Sequence, residues 1–453
     1  MPEHCPDAPL RSALLNDLYQ LTMARAYDAE GMGQSATFEL FFRTLPSCRN
    51  YAIAAGLADS LTYLEQFQFT ESDLDYLKEQ GPFPEPFLDR LKHLRFTGDV
   101  DAVPEGTVIF PHEPLLRVTA PILEAQLVET FLLNQVHFQT VAASKAARVM
   151  IAAAGRRLVD FGSRRAHGTD AAMKVARCSW LVGADGTSNL LAGKTYGIPI
   201  FGTMAHSYIQ AHDSERAAFA AFARLFPGTT LLVDTYDTLE GVRQIISLRD
   251  ELGSDFHPAS IRLDSGDLAG LACKARTLLD EAGMNDVKIF ASGGLDEYSV
   301  WDLVHSGAPI DGFGVGTKMA VSEDAPSLDM AYKLVEYGGQ ARMKLSTGKK
   351  LYPGTKQVFR YCGEGRFTHD VLARADEELD GEPLLKPVMQ GGKRLPDAIP
   401  SLNESREYAL RQIASLPDAI RSIEPAAAPY PVRYSAGLES EREEVEDWLD
   451  GET

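Results

Sequence analysis

The segment Gly202-Thr203-Met204-Ala205-His206-Ser207 places an imidazole after the apolar run Ile198-Pro199-Ile200-Phe201 and ahead of a helical pattern at 208–225. The junction of a strand with the following helix is where α/β sheets and barrels keep their catalytic groups. Further apolar runs end in the same manner, at Asp234, at Asp264-Ser265-Gly266-Asp267, at Gly293-Gly294 and at Gly314-Val315-Gly316-Thr317. Together these ends describe a site for a phosphorylated sugar.

Each residue type suits that chemistry. A phosphate is best held by backbone N–H groups, and glycine lets the backbone approach it closely. Gly293-Gly294 opens a helical pattern at 295–305, and Gly314 to Thr317 closes the next run. Either alone is equally an ordinary tight turn; paired on late barrel strands, where phosphate is usually held, they favour a dianion. Asp234 and Asp264 close consecutive runs, where a carboxylate accepts hydrogen bonds from ribose hydroxyls and stabilises positive charge developing on the ring. Asp237 and Asp267 follow them and read as helix N-caps. Arg164 and Arg165 follow the run at 158–161, and Arg262 lies inside the run ending at Asp264. Their guanidinium groups bind phosphate or carboxylate in two-pronged fashion and can face one mouth. Arg262 also needs a partner, because an unpaired charge in an apolar strand is costly.

Holding these groups on one rim takes a repeating βα pattern, and the chain supplies one. From about residue 122, helical stretches (132–154, 238–252, 266–282) alternate with candidate strands at 158–161, 198–202, 230–234, 260–264, 287–291 and 310–315. That spacing predicts a parallel, barrel-like sheet. Ahead of it, 14–31 reads as a helix, 36–42 as a strand and 81–96, with Pro82, Pro84 and Pro86, as a helical hairpin region. After residue 336 the pattern turns to short strands and turns at 343–361 and a helix at 403–415, so the end of the chain is expected to pack back on its beginning. The expected domains are 1–121, 122–336 and 337–453, with the acidic stretch 439–453 as a solvated helix or frayed tail.

Composition sets the limits. At 453 residues and 45% hydrophobic content the chain is long enough for more than one core. Its 44 basic against 64 acidic residues give a formal net charge of −20, which repels nucleic acid and anionic membranes, so neither is an expected partner. The start, Met1-Pro2-Glu3-His4-Cys5, lacks the basic and apolar regions of a signal peptide, and a cytoplasmic location is expected. Cys5, Cys48, Cys178, Cys273 and Cys362 form neither a C-x-x-C pair nor a zinc spacing, so reduced thiols and no protein metal site are expected. Among the histidines, His167 and His212 lie near the same mouth but carry no motif.

The ordered blocks 16–23 (Asn-Asp-Leu-Tyr-Gln-Leu-Thr-Met), 160–165 (Asp-Phe-Gly-Ser-Arg-Arg), 186–189 (Gly-Thr-Ser-Asn), 202–207, 232–238 and 262–268 resemble the nicotinate phosphoribosyltransferase family, type II phosphoribosyltransferases of NAD salvage. The resemblance runs through most of the chain. It implies an α/β fold: an incomplete α/β barrel joined to an N-terminal α+β domain that the C-terminal segment rejoins. It also implies a homodimer with active sites shared between subunits. By position in these motifs, His206 corresponds to the histidine that ATP phosphorylates, Thr203 and Arg262 to nicotinate-binding residues, and Thr317 to a phosphoribose contact. Tyr19 corresponds to the aromatic that stacks on the pyridine ring from the neighbouring subunit. Related nicotinamide-using enzymes carry an aspartate where this chain has Ser188, which favours the acid over the amide.

The reaction so implied joins nicotinate to 5-phosphoribosyl 1-pyrophosphate, with ATP as co-substrate and substrate-bound Mg²⁺. Its products are nicotinate mononucleotide, pyrophosphate, ADP and phosphate, by an ATP-dependent ligase that performs pentosyl transfer. Asp234 and Asp264 act at the sugar, while Arg164, Arg165, Ser207, Gly293, Gly294, Gly314, Gly316 and Thr317 bind the phosphorylated ribose. Alternatives on the same barrel are a nicotinamide phosphoribosyltransferase, a phosphosugar lyase or isomerase, and a non-catalytic metabolite sensor. The lyase would want a Schiff-base lysine; Lys288 begins a strand at the wrong end, and Lys318 reads as a phosphate partner.

Overall fold

A computed structural model describes residues 11–253, 256–345 and 351–452. His4, Cys5, part of the 343–361 segment and Thr453 lie outside the described residues. The chain forms two compact units, one from the described residues up to 141 together with those from 327 onward, the other from 142–326.

The second unit is built on a 6-stranded sheet of β1 (Arg157–Asp160), β2 (Gly186–Thr187), β3 (Thr230–Leu232), β4 (Ser260–Leu263), β5 (Lys288–Ser292) and β6 (Gly312–Val315), in the order β2-β1-β6-β5-β4-β3. Every neighbouring pair is parallel. The helices are α1 (Thr169–Leu181), α2 (Leu190–Tyr196), α3 (His206–Gln210), α4 (Glu215–Leu225), α5 (Thr238–Leu252), α6 (Leu268–Glu281), α7 (Glu297–His305) and α8 (Thr317–Ala320). β2 and β3 are both edges, so this is an incomplete α/β barrel. Period-two alternation sorts the side chains: Leu231, Ile261, Leu263, Ile289, Ala291 and Phe313 are fully buried. Arg262, paired in register with Leu232 and Phe290, lies on the opposite face.

The expected strand at 198–202 is not formed. Only Ile200 bridges, in parallel, to Thr187, with Phe201 N donating to Thr187 O at 2.9 Å and Thr187 N to Pro199 O at 3.0 Å. Pro199 cannot donate to a ladder, which confines the segment to an edge contact. The helical pattern at 208–225 divides into α3 and α4, because Ser214 caps α4 by accepting from Ala217 N at 3.2 Å.

The first unit carries a 7-stranded sheet. In it, Ser35–Phe42 pairs with both Leu116–Pro121 and Met330–Tyr337, while Asp99–Ala102 pairs with Lys386–Gln390. Strands from the two ends of the chain therefore share one sheet. Its core includes Phe38 stacked on Tyr332 and Tyr63 on Phe131, with ring centroids 4.8 and 3.8 Å apart. At 81–96 there is a single helix, Glu85–His93, with Pro84 at its N-cap and Pro86 in the first turn, where a missing N–H costs nothing. The acidic end is the helix Ala436–Glu452, and it is anchored: Leu438 is fully buried and Tyr352 donates to Glu439 at 2.8 Å. Among the described residues no helix is long and apolar enough to cross a membrane.

Candidate active site

The C-terminal ends of the parallel strands bring the predicted acids, imidazole and guanidinium together. Asp264, following β4, accepts from Ser292 Oγ at the end of β5. It lies 4.0 Å from Arg262 Nη2 and 3.9 Å from His206 Nε2. His206 opens α3, and its Nδ1 lies 3.1 Å from Thr235 Oγ1. Asp234, following β3, accepts Asp264 N at 2.9 Å and Ser265 Oγ at 2.7 Å through one oxygen. Its other oxygen is buried without a partner, as is Arg262 Nε. Burial lowers the pKa of Arg262 and Asp264 and Asp234 raise it, with Arg164 close enough to oppose them. A guanidinium stays charged through such shifts.

The glycines divide into two kinds. Gly293 has φ +92°, and a Cβ there would lie 1.8 Å from Asp264 O, so glycine is required for β5 to close on the acid. Gly294, at φ +65°, faces open space. Gly314 lies within β6, where the Phe161 ring occupies the place of a side chain at 2.4 Å, so packing explains it. Gly316 and Thr317 form the turn into α8, with Thr317 exposed.

A second anchor lies at the end of β1. Asp160 is fully buried; it accepts Gly162 N at 2.8 Å and Thr187 Oγ1 at 2.7 Å, and its carbonyl accepts Ser188 N at 2.8 Å. Burial raises its pKa while these bonds hold it down. It thereby pins the turn Ser163–Arg165, on which Arg164 and Arg165 are exposed, to the end of β2, where Ser188 is exposed. Thr203 accepts from Met204 N, and Ser207 is exposed on α3. Tyr19 lies in the other unit, on the helix Leu18–Ala29, 48% exposed. Asp237 and Asp267 cap α5 and α6, accepting from Glu240 N and Gly270 N. Lys318 pairs with Asp296 at 2.8 Å. Lys288 lines a cavity at the opposite strand ends with Thr230 and Ser260.

Sequence reasoning missed Thr235, Ser292 and Glu215. The hydroxyls sit directly beside flagged residues in the chain, which is the signal that could have found them. Glu215 opens α4, is 5% exposed, and has a buried oxygen without a partner. Burial, then Asp234, Asp237 and Glu240, push its pKa up to about 7. Among the described residues no group of His, Cys, Asp and Glu could hold a metal ion.

Comparison with known proteins bears on this arrangement. Residues 14–137 match the nicotinate phosphoribosyltransferase (NAPRTase) N-terminal domain, 156–351 the nicotinate phosphoribosyltransferase (NAPRTase) family and 378–440 the nicotinate phosphoribosyltransferase C-terminal domain. The chain is similar to nicotinate phosphoribosyltransferase pncB2 of Mycobacterium tuberculosis, 58% identical over 93% of this chain and 91% of the other. It is 43% identical to nicotinate phosphoribosyltransferase of Bacillus subtilis, over 83% of this chain and 78% of that one. The crystal structure of human nicotinic acid phosphoribosyltransferase superposes with a TM-score of 0.84 at 31% identity, over 95% of this chain and 99% of that chain. Matches along nearly the whole length, in sequence and in fold, identify this chain as a member of the nicotinate phosphoribosyltransferase family.

Proposed function

We propose that this chain joins nicotinate to 5-phosphoribosyl 1-pyrophosphate, driven by ATP through a phosphorylated His206. The observation that carries the reading is Arg262: a partly buried guanidinium 4.0 Å from Asp264, with its buried Nε unpartnered. A flat carboxylate offers that guanidinium two charged acceptor oxygens, whereas a carboxamide offers one neutral acceptor and turns a donor toward it. Ser188 supports the same choice, since a carboxylate there would repel the acid.

The pyridine nitrogen attacks C1 of the ribose through its own lone pair, the bond from C1 to the pyrophosphate oxygen breaks, and no base is required. Asp264 and Asp234 lie where positive charge grows on the ring. Gly293-Gly294, Gly316-Thr317, Ser207 and the exposed Arg164 and Arg165 serve the phosphates. Mg²⁺ enters as an ion carried by the substrate, and when bound it would neutralise the leaving pyrophosphate. ATP transfers its terminal phosphoryl group to His206, and water later takes it, giving ADP and phosphate. The phosphohistidine places close to two negative charges beside Asp264, shifting the enzyme between states of different substrate affinity. Tyr19 of a second copy stacks on the pyridine, in a homodimer with shared sites. The lyase alternative lacks support from its candidate lysines, one at the far strand ends and one engaged with Asp296.

The test is formation of nicotinate mononucleotide from nicotinate and the activated ribose, with and without ATP. Labelled ATP should leave acid-labile phosphate on His206, and His206→Ala should abolish both the label and the ATP stimulation. Product with undiminished stimulation in that variant would overturn the phosphohistidine. Preference for nicotinamide would overturn the Arg262 assignment.

A further inference from the structure

The strands that carry the mouth also surround a cavity of about 590 Å³ at their N-terminal ends, a volume in the range of small-molecule sites. Strand register decides what faces it. Arg262 on β4, Phe290 on β5, Gly312 on β6 and Arg157 on β1 are lateral neighbours across four adjacent strands, and laterally paired residues of a sheet share a face. One layer therefore holds two guanidinium groups with Phe290 between them: Arg262 near Asp264 at the mouth, and Arg157 lining the cavity. Missing side chains make the room. A Cβ at Gly312 would lie 2.9 Å from the Phe290 ring and 3.1 Å from Arg157 Cβ, and one at Gly186 would lie 2.6 Å from the Phe201 ring. Both rings lie against strand backbone for that reason, and both line the cavity.

The charges in the lining are accounted for, with one exception. Asp311 pairs with Lys288 at 3.4 Å and accepts Ile289 N at 2.9 Å, and Asp185 accepts Leu158 N at 2.8 Å. Thr230 and Ser260 bond to each other. Arg157 lies 5.4 Å from the centroid of the Phe201 ring and has no carboxylate partner among the described residues. What remains is a single positive charge beside two aromatic rings. We propose that this cavity is a second binding site, for a flat aromatic monocarboxylate: the carboxylate takes the N–H groups of Arg157 and the ring packs against Phe201 and Phe290. Inorganic phosphate, a dianion with no apolar surface, finds one unpaired cation and nothing for the rings to cover. No bond is made or broken at the site, and the assignment does not rest on the phosphoribosyl-transfer reading, although nicotinate belongs to the same chemical class as the ligand.

Benzoate, a flat acid with no ring nitrogen to react, is the probe, titrated into the full chain by calorimetry and followed by saturation-transfer NMR. The Arg262→Ala chain, stripped of the guanidinium at the mouth, should still bind benzoate at the cavity. Adding Arg157→Ala should weaken that binding about 10-fold or more; Arg157 is exposed, so the fold does not depend on it. Phe201→Leu, which keeps the charge and an apolar side chain, should weaken it about 3-fold. Benzoate binding that Arg262→Ala abolishes, or that Arg157→Ala and Phe201→Leu leave unchanged, would overturn the proposal. So would inorganic phosphate displacing benzoate from the cavity at equal or lower concentration. Failure of the parent chain to use nicotinate would leave the benzoate titration standing and count against the proposed reaction alone.

Discussion

Asp264 is the hinge between neighbouring strand ends: it faces Arg262 and His206, accepts from Ser292, donates its N–H to Asp234, and lies under Gly293. A methyl group at 293 would have to displace the Asp264 carbonyl, and the acid moves with it. Gly293→Ala is expected to lower kcat/KM about 100-fold, as ångström-scale misplacement of a catalytic group does. Gly294→Ala, at an open position, should cost far less; equal losses in the steady-state assay would show that the close approach to Asp264 is not what Gly293 provides. Asp234 and Asp264 were legible because each closes an apolar run, where two-residue alternation fixes which side chain reaches the rim; Tyr19, Thr203 and Ser188 came only with the family resemblance. Thr235 and Ser292 escaped since a hydroxyl next to an acid looks the same in a cap, a turn or a site. Glu215 escaped for another reason: it is the first residue of α4 yet only 5% exposed, and no local pattern encodes that burial.

At the scale of elements, α7 begins three residues after the Gly293-Gly294 turn. Its first residue, Glu297, is fully buried and paired with Lys145 and with Arg148 Nε at 2.9 Å, both on the helix Glu129–Ala153, while Lys145 also reaches Asp324 at 2.6 Å. Removing one partner of such a network leaves buried charge behind. Glu297→Ala should therefore cost about 3–5 kcal/mol in a denaturant titration and raise the KM for the phosphorylated ribose. Unchanged stability would remove the network from the account. Strands β1, β3, β4, β5 and β6 and helix α5 were legible to within a residue or two, each an uninterrupted apolar run or a 3.6-period pattern between turn signals. The segment at 198–202 looked the same in composition, but Pro199 and the lack of a neighbour on its far side left it a single bridge. β2, two residues long, had no periodicity to read.

For the whole molecule, the proposed homodimer with shared sites makes a prediction that no monomer can satisfy. Tyr19→Ala and His206→Ala chains are each expected to be nearly inactive. Mixed and allowed to exchange subunits, they should recover about a quarter of the parent activity, because half the dimers then carry one intact site of two. No recovery under conditions where exchange is verified by mass would place Tyr19 and His206 in the same subunit's site. Pairing of Ser35–Phe42 with Met330–Tyr337, and of Asp99–Ala102 with Lys386–Gln390, also bears on the order of events at the ribosome. The unit 142–326 is contiguous and can fold as soon as it emerges, whereas the flanking sheet must hold open strand edges until Lys386–Gln390 has been made. Exposed edges recruit other chains, so the newborn protein should depend on chaperones for its amino-terminal half rather than for its catalytic one.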